Sequence, residues 1–257
     1  MNKLKKYSGV AIILIAGTIT YMLLKAYHYY SPPKYRMAFQ IKHINNDTLH
    51  IAYIGDSWAY MHNNHQCQIP HLIKGRTFQT TKVYSYGLPG RTSKEIYEAL
   101  FDDVHLVKYM KEQGCDYCFI SAGINDINKK LSITYYIKSM NGIIRFLLSN
   151  NVHPIILEIP DFDVYKVYRG HDKYRKLLRK ISMTINNVPL DCKQLYRDAL
   201  DDLIHKEGYQ DKVSIIRYRS WNHDYYNDLN NLYLNDGVHL NNYGYSVLDS
   251  MIAKEIQ

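Results

Sequence analysis

Four polar stretches of the sequence contain the residue types that acyl transfer requires. They are Gly55-Asp56-Ser57, Gly87-Leu88-Pro89-Gly90, Gly123-Ile124-Asn125-Asp126 and Asp236-Gly237-Val238-His239. Acyl transfer uses a nucleophile, a base that contacts it, a group that orients the base, and hydrogen-bond donors directed at the developing oxyanion. All of these types occur in the four stretches, so the sequence predicts ester chemistry if the fold brings the stretches together.

Ser57 is the candidate nucleophile. An apolar, β-prone run from Ile51 to Ile54 precedes it, and Gly55 permits a sharp turn where this strand would end. The serine would then lie at the carboxyl edge of a sheet, where open α/β folds bind their ligands. The alternative is a strand followed by an ordinary polar turn, because Gly-Asp-Ser is a common turn tripeptide. The partners found downstream favour a nucleophile.

His239 is the candidate base, and Asp236 is the group that would orient it. Histidine has an ordinary pKa of about 6.5, which suits proton transfer near neutral pH. Most of the 12 histidines are expected to be solvated, but His239 follows Asp236 by three residues in a tight turn. That spacing lets the carboxylate reach the far imidazole nitrogen and stabilise the imidazolium. Alternatively, Asp236 is an aspartate of a turn or a helix entry.

Gly87 and Asn125 are candidate oxyanion donors, together with the backbone N–H of Ser57. A glycine at the end of the second strand lets a backbone N–H approach a ligand closely, although Pro89-Gly90 also fits a plain β-turn. Asn125 offers a side-chain amide, and its alternative role is an Asx turn. Asp126 would either brace this loop or cap the next segment.

An alternation of strands and helices is predicted to position these stretches. Strand-like runs cover residues 49–54, 82–86, 117–121, 154–159 and 213–217. Helical patterns cover residues 92–111, opened by a capping box of Thr92 and Glu95, and residues 133–148, 165–184, 193–206 and 242–257. Strands that alternate with helices indicate a parallel sheet of about five strands covered on both faces. Right-handed crossovers then place the strand ends at one edge.

The first 26 residues carry the pattern of a signal peptide or signal anchor. Three lysines among the first six residues precede an apolar run over residues 10–24, and no convincing cleavage site follows. We expect a single-pass membrane anchor with a cytoplasmic N-terminus and an extracytoplasmic catalytic domain. The alternatives are a secreted protein with a cleaved signal and a soluble helix. Residues 27–47 are typical of a stiff linker, and residues 48–257 form the predicted globular domain.

Composition narrows the class of partner without identifying it. The formal charge of +8 favours anionic partners, and no nucleic-acid-binding motif accompanies it. Residues 166–180 contain seven Lys or Arg against one Asp. This run indicates either a solvated basic helix or a docking face for an acidic glycan or lipid phosphates. Cys115 and Cys118 have the spacing of half a metal or redox motif, but they enter an apolar run, which favours buried free thiols.

In their order and distances, the four stretches resemble the conserved blocks of the SGNH (GDSL-like) hydrolase superfamily, over residues 48 to the C-terminus. The resemblance implies a flavodoxin-like three-layer α/β/α sandwich and ester chemistry that needs neither a metal ion nor another cofactor. It implies a catalytic triad of Ser57, Asp236 and His239. The implied oxyanion hole consists of the backbone N–H groups of Ser57 and Gly87 and the side-chain amide of Asn125.

The resemblance also implies the reaction, a two-step acyl transfer by a serine esterase. An extracytoplasmic, anchored relative most resembles carbohydrate O-acetylesterases, so we expect an O-acetyl or other short acyl ester of a small molecule or polysaccharide. The alternatives are an O-acetyltransferase of a cell-surface polysaccharide, a lysophospholipase-like lipid esterase, and a binding protein without turnover. Trp58 and Tyr86 depart from the residues that many relatives carry, and these departures concern substrate shape more than the triad.

Overall fold

A computed structural model describes residues 2–36, 39–43, 47–74 and 80–256, with side chains from residue 14 onward. The chain divides into two compact units, Met1–Pro32 and Pro33–Gln257. The first unit is built on one long helix, α1 (Asn2–Tyr30). The second unit contains the sheet and the remaining helices.

The N-terminal helix does not support the membrane anchor that we expected over residues 1–26. Among the residues with described side chains, no helix is long and apolar enough to cross a membrane. In that part of α1, Thr18, Thr20, Lys25 and His28 interrupt the apolar side chains. The prediction of an extracytoplasmic catalytic domain stays a prediction.

The second unit is organised on a five-stranded parallel sheet, as the alternation of strands and helices predicted. Its strands are β1 (Thr48–Gly55), β2 (Thr80–Gly87), β3 (Tyr117–Ser121), β4 (His153–Leu157) and β5 (Ser214–Ile216). They pair in the order β2-β1-β3-β4-β5, and every pairing is parallel. The carboxyl ends of all five strands therefore lie at one edge of the sheet.

Helices connect and cover the strands. In chain order they are α2 (Ser57–His62), α3 (Ile69–Leu72), α4 (Ser93–Asp102), α5 (Val104–Gln113), α6 (Ile124–Lys129), α7 (Ile133–Ser149), α8 (Val164–Gly170), α9 (Lys173–Asn186), α10 (Lys193–Lys206), α11 (Tyr225–Leu232) and α12 (Asn242–Glu255). A 3-10 turn covers Tyr218–Ser220. The predicted capping box of Thr92 and Glu95 does open α4.

Two of the predicted helices are each divided into two by an aspartate. Asp103 separates α4 from α5, because its side chain accepts hydrogen bonds from His105 N and Leu106 N and so begins a new helix. Asp172 begins α9 in the same way by accepting from Arg175 N. Both aspartates interrupt a continuous helical pattern, since a side chain that caps backbone N–H groups competes with helix continuation.

The centre of the sheet is buried on both faces. The residues of β1 from Leu49 to Ile54 and the middle residues of β3 are almost completely inaccessible to solvent. The Tyr53 ring packs against the rings of Phe119 and His62, with centroids 4.5 Å and 5.1 Å apart, so α2 covers this face. Helix α7 contacts both α4 and α10, which form a second group with it. Strands buried on both faces require such layers on both sides, which fits the predicted three-layer sandwich.

Part of the segment that we interpreted as a linker belongs to the second unit and packs against its helices. Arg36 makes two 2.7 Å hydrogen bonds to the Asp102 carboxylate at the end of α4. Ile41 is buried, and its backbone N–H donates to Asn150 Oδ1 at 2.7 Å. These contacts attach residues 36 and 41 to the C-terminal ends of α4 and α7.

Candidate active site

The position of the candidate nucleophile depends on two glycines at the ends of neighbouring strands. Gly55 of β1 and Gly87 of β2 lie opposite each other in the parallel ladder. A Cβ atom on Gly55 would lie 2.2 Å from Ser121 Oγ, and one on Gly87 would lie 1.9 Å from Tyr60 N. Because a close-packed interior cannot admit an atom at these distances, only glycine fits at either position.

Ser57 is the first residue of α2, directly after the end of β1. Asp56 caps this helix, since its Oδ1 accepts from Trp58 N at 3.0 Å. The Asp56 backbone N–H in turn donates to Ser121 O of β3 at 3.2 Å. The turn between β1 and α2 is thus held from both sides, and Ser57 lies at the sheet edge as predicted.

The structure brings Ser57, His239 and Asp236 into one hydrogen-bonded chain. His239 Nε2 lies 2.8 Å from Ser57 Oγ, and His239 Nδ1 lies 2.6 Å from Asp236 Oδ2. The His239 side chain is 26% exposed and that of Asp236 47% exposed, so a substrate can reach the chain. In this arrangement Nδ1–H donates to the carboxylate, and Nε2 is left to accept the proton of the serine hydroxyl.

The loop that carries Asp236 and His239 is fixed by its own backbone. Asp236 Oδ1 accepts from Val238 N at 2.8 Å and from His239 N at 3.0 Å. Burial raises the pKa of the Asp236 carboxyl, but the hydrogen bonds from the His239 ring and from both backbone N–H groups outweigh it, so the pKa lies below its ordinary value. Gly237 adopts a positive φ of 68°, and Tyr225 Oη donates to its carbonyl oxygen at 2.7 Å.

Asn125 lies beside the nucleophile turn. Its Nδ2 donates to Arg91 O at 3.0 Å and lies 3.4 Å from Asp56 Oδ2. Gly123 precedes α6 with a φ of 116°, and a Cβ there would lie 2.9 Å from Ile159 Cδ1. The predicted donors Gly87 and Asn125 therefore lie at the same sheet edge as Ser57, and the Asn125 amide is hydrogen-bonded within the protein.

The profile of the GDSL-like lipase/acylhydrolase family matches residues 53–247. This chain belongs to that family. The match covers more than half of the chain and includes all four of the polar stretches identified in the sequence. The chain is therefore an enzyme that acts on ester bonds, as the resemblance predicted.

Solved structures share the fold of this acylhydrolase at low sequence identity. An acetyl xylan esterase matches with a TM-score of 0.56 and 17% identity over 81% of this chain and 100% of the other. A lipase/acylhydrolase from Enterococcus faecalis matches with a TM-score of 0.54 and 18% identity over 81% and 95%. A psychrotrophic esterase from a Pseudoalteromonas species matches with 0.51 and 13% over 82% and 97%. None of the curated proteins compared with the chain matches it.

Two buried carboxyls brace the acylhydrolase site. Asp56 is fully buried, and burial raises its pKa to about 7 against the opposing hydrogen bond from Trp58 N. Asp126 is fully buried as well and accepts from Ser93 N at 2.8 Å and Ser93 Oγ at 2.5 Å at the start of α4. Burial raises the pKa of Asp126 to about 6, although these hydrogen bonds oppose the shift. Asp126 thus braces its loop, one of the two roles expected for it.

Sequence reasoning missed the structural part that Asp56 plays. The residue was treated only as part of the Gly-Asp-Ser turn, whereas it caps α2 and contacts Asn125. The available signal was an aspartate directly before a short run that could form a helix. Trp58, a departure from the family pattern, is fully buried and packs edge-on against Trp221 at 6.0 Å. It therefore belongs to the core under the site.

A lysine of the basic stretch reaches the loop that carries Asp236 and His239. Lys166 of α8 donates through Nζ to Asn235 O at 3.3 Å. The helix that follows, α9, is mostly exposed, and Ser182 is its buried residue. The basic stretch thus divides into a part that contacts the site and a part that faces solvent.

Proposed function

We propose that this acylhydrolase is a serine esterase that removes a short acyl group, in particular an O-acetyl group of a carbohydrate. The observation that carries the proposal is the chain of hydrogen bonds from Ser57 Oγ through His239 to Asp236, at 2.8 Å and 2.6 Å. Those distances are within the range in which a base can take a proton directly from a nucleophile.

In the first half-reaction, His239 Nε2 takes the proton of Ser57 as Oγ attacks the ester carbonyl. Asp236 holds Nδ1–H and stabilises the imidazolium that forms. The alcohol leaves with the proton that His239 returns, and the acyl group stays on Ser57 Oγ. Water then attacks the acyl-enzyme with the same base, which releases the acid and restores the serine.

The backbone N–H groups of Ser57 and Gly87 and the side-chain amide of Asn125 are the proposed donors to the oxyanion. Each such donor typically lowers the barrier by about 3 kcal/mol. The Asn125 amide now donates to Arg91 O, and an amide has two N–H groups. One N–H can therefore stay on Arg91 O, while the other would leave its longer 3.4 Å contact with Asp56 Oδ2 to serve the oxyanion.

The choice of a short acyl group rests on the exposed site and on family resemblance. The acid and base side chains are accessible from solvent at the sheet edge, which suits the approach of a large polar alcohol such as a glycan. A carbohydrate O-acetyl substrate is compatible with the shared fold of the acetyl xylan esterase. A location outside the cytoplasm, where cell-surface glycans occur, stays a prediction.

The test is hydrolysis of p-nitrophenyl acetate, p-nitrophenyl octanoate and acetylated xylan by the purified full chain. Ser57→Ala should abolish turnover of each substrate that the parent cleaves. Ser214→Ala is the matched control, because Ser214 also contacts a histidine, His153, at 3.1 Å, but lies at the opposite edge of the sheet. Folded parent protein that cleaves none of the three esters would overturn the proposal.

One observation favours a lipid ester as a second candidate. Four large apolar side chains follow one another along α9 at helical spacing and are each at least 46% exposed: Tyr174, Leu177, Ile181 and Ile185. Lys and Arg residues lie between them. A basic helix with an exposed apolar stripe is typical of surfaces that bind anionic lipid.

The two substrate classes predict opposite outcomes. A lipid esterase should cleave the octanoate faster than the acetate and be stimulated by vesicles that contain phosphatidylserine. Leu177→Ser and Ile185→Ser should then remove the stimulation while leaving hydrolysis of the acetate intact. An acetylesterase should prefer the acetate and ignore the vesicles.

A further inference from the structure

A second cluster of reactive side chains lies at the far end of α2 from the nucleophile. His62 is the last residue of α2, His65 and Cys67 follow it in the loop before α3, and Asp249 lies on α12. The helix begins with Ser57, so this cluster is about 7 Å along the axis from the nucleophile. None of its members belongs to the proposed triad or oxyanion hole.

The cluster converges on one carboxylate. His62 Nε2 lies 2.8 Å from Asp249 Oδ1, and His65 Nε2 lies 3.4 Å from Asp249 Oδ2. The nearest ligand atoms of His62, Cys67 and Asp249 all lie within 4.8 Å of one another. Zinc in a tetrahedral site is about 2.0–2.3 Å from nitrogen, oxygen and sulfur ligands, which places those ligands about 3.3–3.7 Å apart. Changes of up to about 1.5 Å in these separations would bring the three side chains onto tetrahedral positions around an ion. His65 is outside this group of three, and as a fourth ligand it would have to approach from its position 3.4 Å from Asp249 Oδ2.

His65 is the member of the cluster whose Nε2 completes no hydrogen bond. The side chain of His65 is only 5% exposed, and its Nε2 has no hydrogen-bond partner within the part of the chain that the structure describes. A buried polar atom without a partner costs free energy. This nitrogen lies 3.4 Å from Asp249 Oδ2, on the carboxylate that His62 also contacts, without completing a hydrogen bond to it. It is therefore available as a ligand to an ion bound beside that carboxylate.

We propose that His62, His65, Cys67 and Asp249 bind a structural Zn²⁺ ion. Two imidazoles, one thiolate and one carboxylate are all ligands that zinc accepts, and the thiolate disfavours Mg²⁺ and Ca²⁺. The ion's two positive charges balance the thiolate and the carboxylate, so the buried site is neutral overall. The side chains of Asp249 and His62 are 0% and 1% exposed, so an unbalanced charge at this site would carry a large desolvation cost.

Binding requires two proton changes that the surroundings accommodate. The Cys67 thiol releases its proton to solvent as the Zn–S bond forms. His62 must present Nε2 without a proton, so the proton resides on Nδ1, which lies 2.7 Å from Ser85 Oγ. The Ser85 hydroxyl can accept from Nδ1–H as well as donate to it. Such a partner to the second nitrogen is typical of zinc-bound histidines.

The ion would join α2, which carries Ser57, to α12, which follows the loop of Asp236 and His239. His62 shares α2 with Ser57, and Asp249 lies on α12, which begins three residues after His239. A zinc ion bound to both would therefore hold the two helices together behind the site. It would take no part in ester chemistry, and the inference does not depend on the identity of the substrate.

The test is the zinc content of the purified full chain after dialysis, measured by mass spectrometry of the metal. We expect about one zinc ion per chain, and at least about tenfold weaker binding in His65→Ala and in Cys67→Ser. These two positions are preferred to His62 and Asp249, whose replacement could prevent folding. Replacement of zinc by Co²⁺ should give a thiolate-to-cobalt absorption band that Cys67→Ser lacks.

Control variants distinguish a specific zinc site from nonspecific binding of zinc. His71→Ala removes an exposed histidine nearby, and Cys192→Ser removes a buried free thiol elsewhere. Both should bind zinc like the parent, as should Ser57→Ala, which lacks the nucleophile. Parent protein that stays metal-free in excess Zn²⁺, or equal binding by parent, His65→Ala and Cys67→Ser, would overturn the proposal.

Discussion

The molecule contains two hydrogen-bonded chains, each made of a serine, a histidine and an aspartate side chain, with almost the same hydrogen-bond distances. In the first, His239 lies 2.8 Å from Ser57 and 2.6 Å from Asp236. In the second, His62 lies 2.7 Å from Ser85 and 2.8 Å from Asp249. Residue types and distances alone would not tell the two chains apart.

The two hydrogen-bonded chains differ in their surroundings. His239 and Asp236 are 26% and 47% exposed, whereas His62 and Asp249 are 1% and 0% exposed. Ser57 follows the end of β1, but Ser85 lies within β2, opposite Tyr53, where its backbone belongs to the ladder. A substrate can reach only the first chain. The second is suited to hold α2, β2 and α12 together, alone or around an ion.

Removing each serine should separate the two chains most clearly. Ser57→Ala should lower kcat/KM for the preferred ester at least about a thousandfold, because it removes the hydroxyl that is hydrogen-bonded to His239 Nε2. Ser85→Ala should lower it less than about tenfold and instead weaken zinc binding about tenfold. Steady-state kinetics and zinc titration on the same preparations give both numbers. A Ser85→Ala variant as inactive as Ser57→Ala, yet fully folded, would contradict the assignment.

Replacement of the two aspartates should also affect activity in the exposed hydrogen-bonded chain and stability in the buried one. Asp236→Asn should lower kcat about a thousandfold or more while the protein stays folded, because the amide favours the wrong histidine tautomer. In the metal-free protein, Asp249→Asn should lower the free energy of unfolding by at least about 2 kcal/mol, since His62 Nε2 and the Gln68 backbone N–H both lie within hydrogen-bond distance of this buried carboxylate. Kinetics and urea unfolding measure the two effects. Equal loss of stability in both variants would remove the distinction.

The contrast also shows which parts of the structure the sequence could predict. Asp236 is hydrogen-bonded to His239, three residues away, and to Val238, two residues away, so the local spacing predicted the contact with His239. The parallel sheet followed from the alternation of apolar runs with helical patterns. His62 and Asp249 are 187 residues apart, and no local pattern indicates such a contact.

The divided helices illustrate the same limit. The patterns over 92–111 and 165–184 are helical on average, and hydrophobic periodicity does not register a single capping aspartate such as Asp103 or Asp172. The membrane anchor was inferred from the lysines and the apolar run at the N-terminus, and among the residues with described side chains no helix is long and apolar enough to cross a membrane. Contacts between sequence neighbours were predicted from spacing, whereas the contact between Ser57 and His239, 182 residues apart, was expected from the convergence of strand ends and from the family resemblance.

A methyl group at Gly87 should damage both chains at once. Ser57 and His62 share α2, and Gly87 lets that helix approach β2, since a Cβ there would lie 1.9 Å from Tyr60 N. Gly87→Ala should therefore lower the free energy of unfolding by about 3 kcal/mol and reduce both esterase activity and zinc content. Gly170→Ala, with no atom within 4 Å of the new Cβ, should change the free energy of unfolding by less than about 1 kcal/mol. Thermal and urea unfolding test the difference.

The smallest effect concerns Asp56, the buried carboxyl next to the exposed chain. Because its folded pKa of about 7 lies above the unfolded value, the folded state binds the proton more tightly. The stability that this group contributes is complete below the unfolded pKa and is lost as pH rises through about 7. Between pH of about 6 and 7.5, that loss should be about 1 kcal/mol.

Asp56→Asn isolates this effect, because asparagine can still cap α2 but does not titrate. Urea unfolding of the parent should show the free energy of unfolding declining across this window, and the variant should decline less, by the share that Asp56 contributes. Asp126, with a pKa of about 6, acts in the same direction in both proteins and cancels in the comparison. If the free energies of unfolding of parent and variant changed with pH in parallel, Asp56 would not bind a proton in the folded state. The exposed hydrogen-bonded chain would then differ from the buried one in accessibility alone, without a titrating carboxyl beside it.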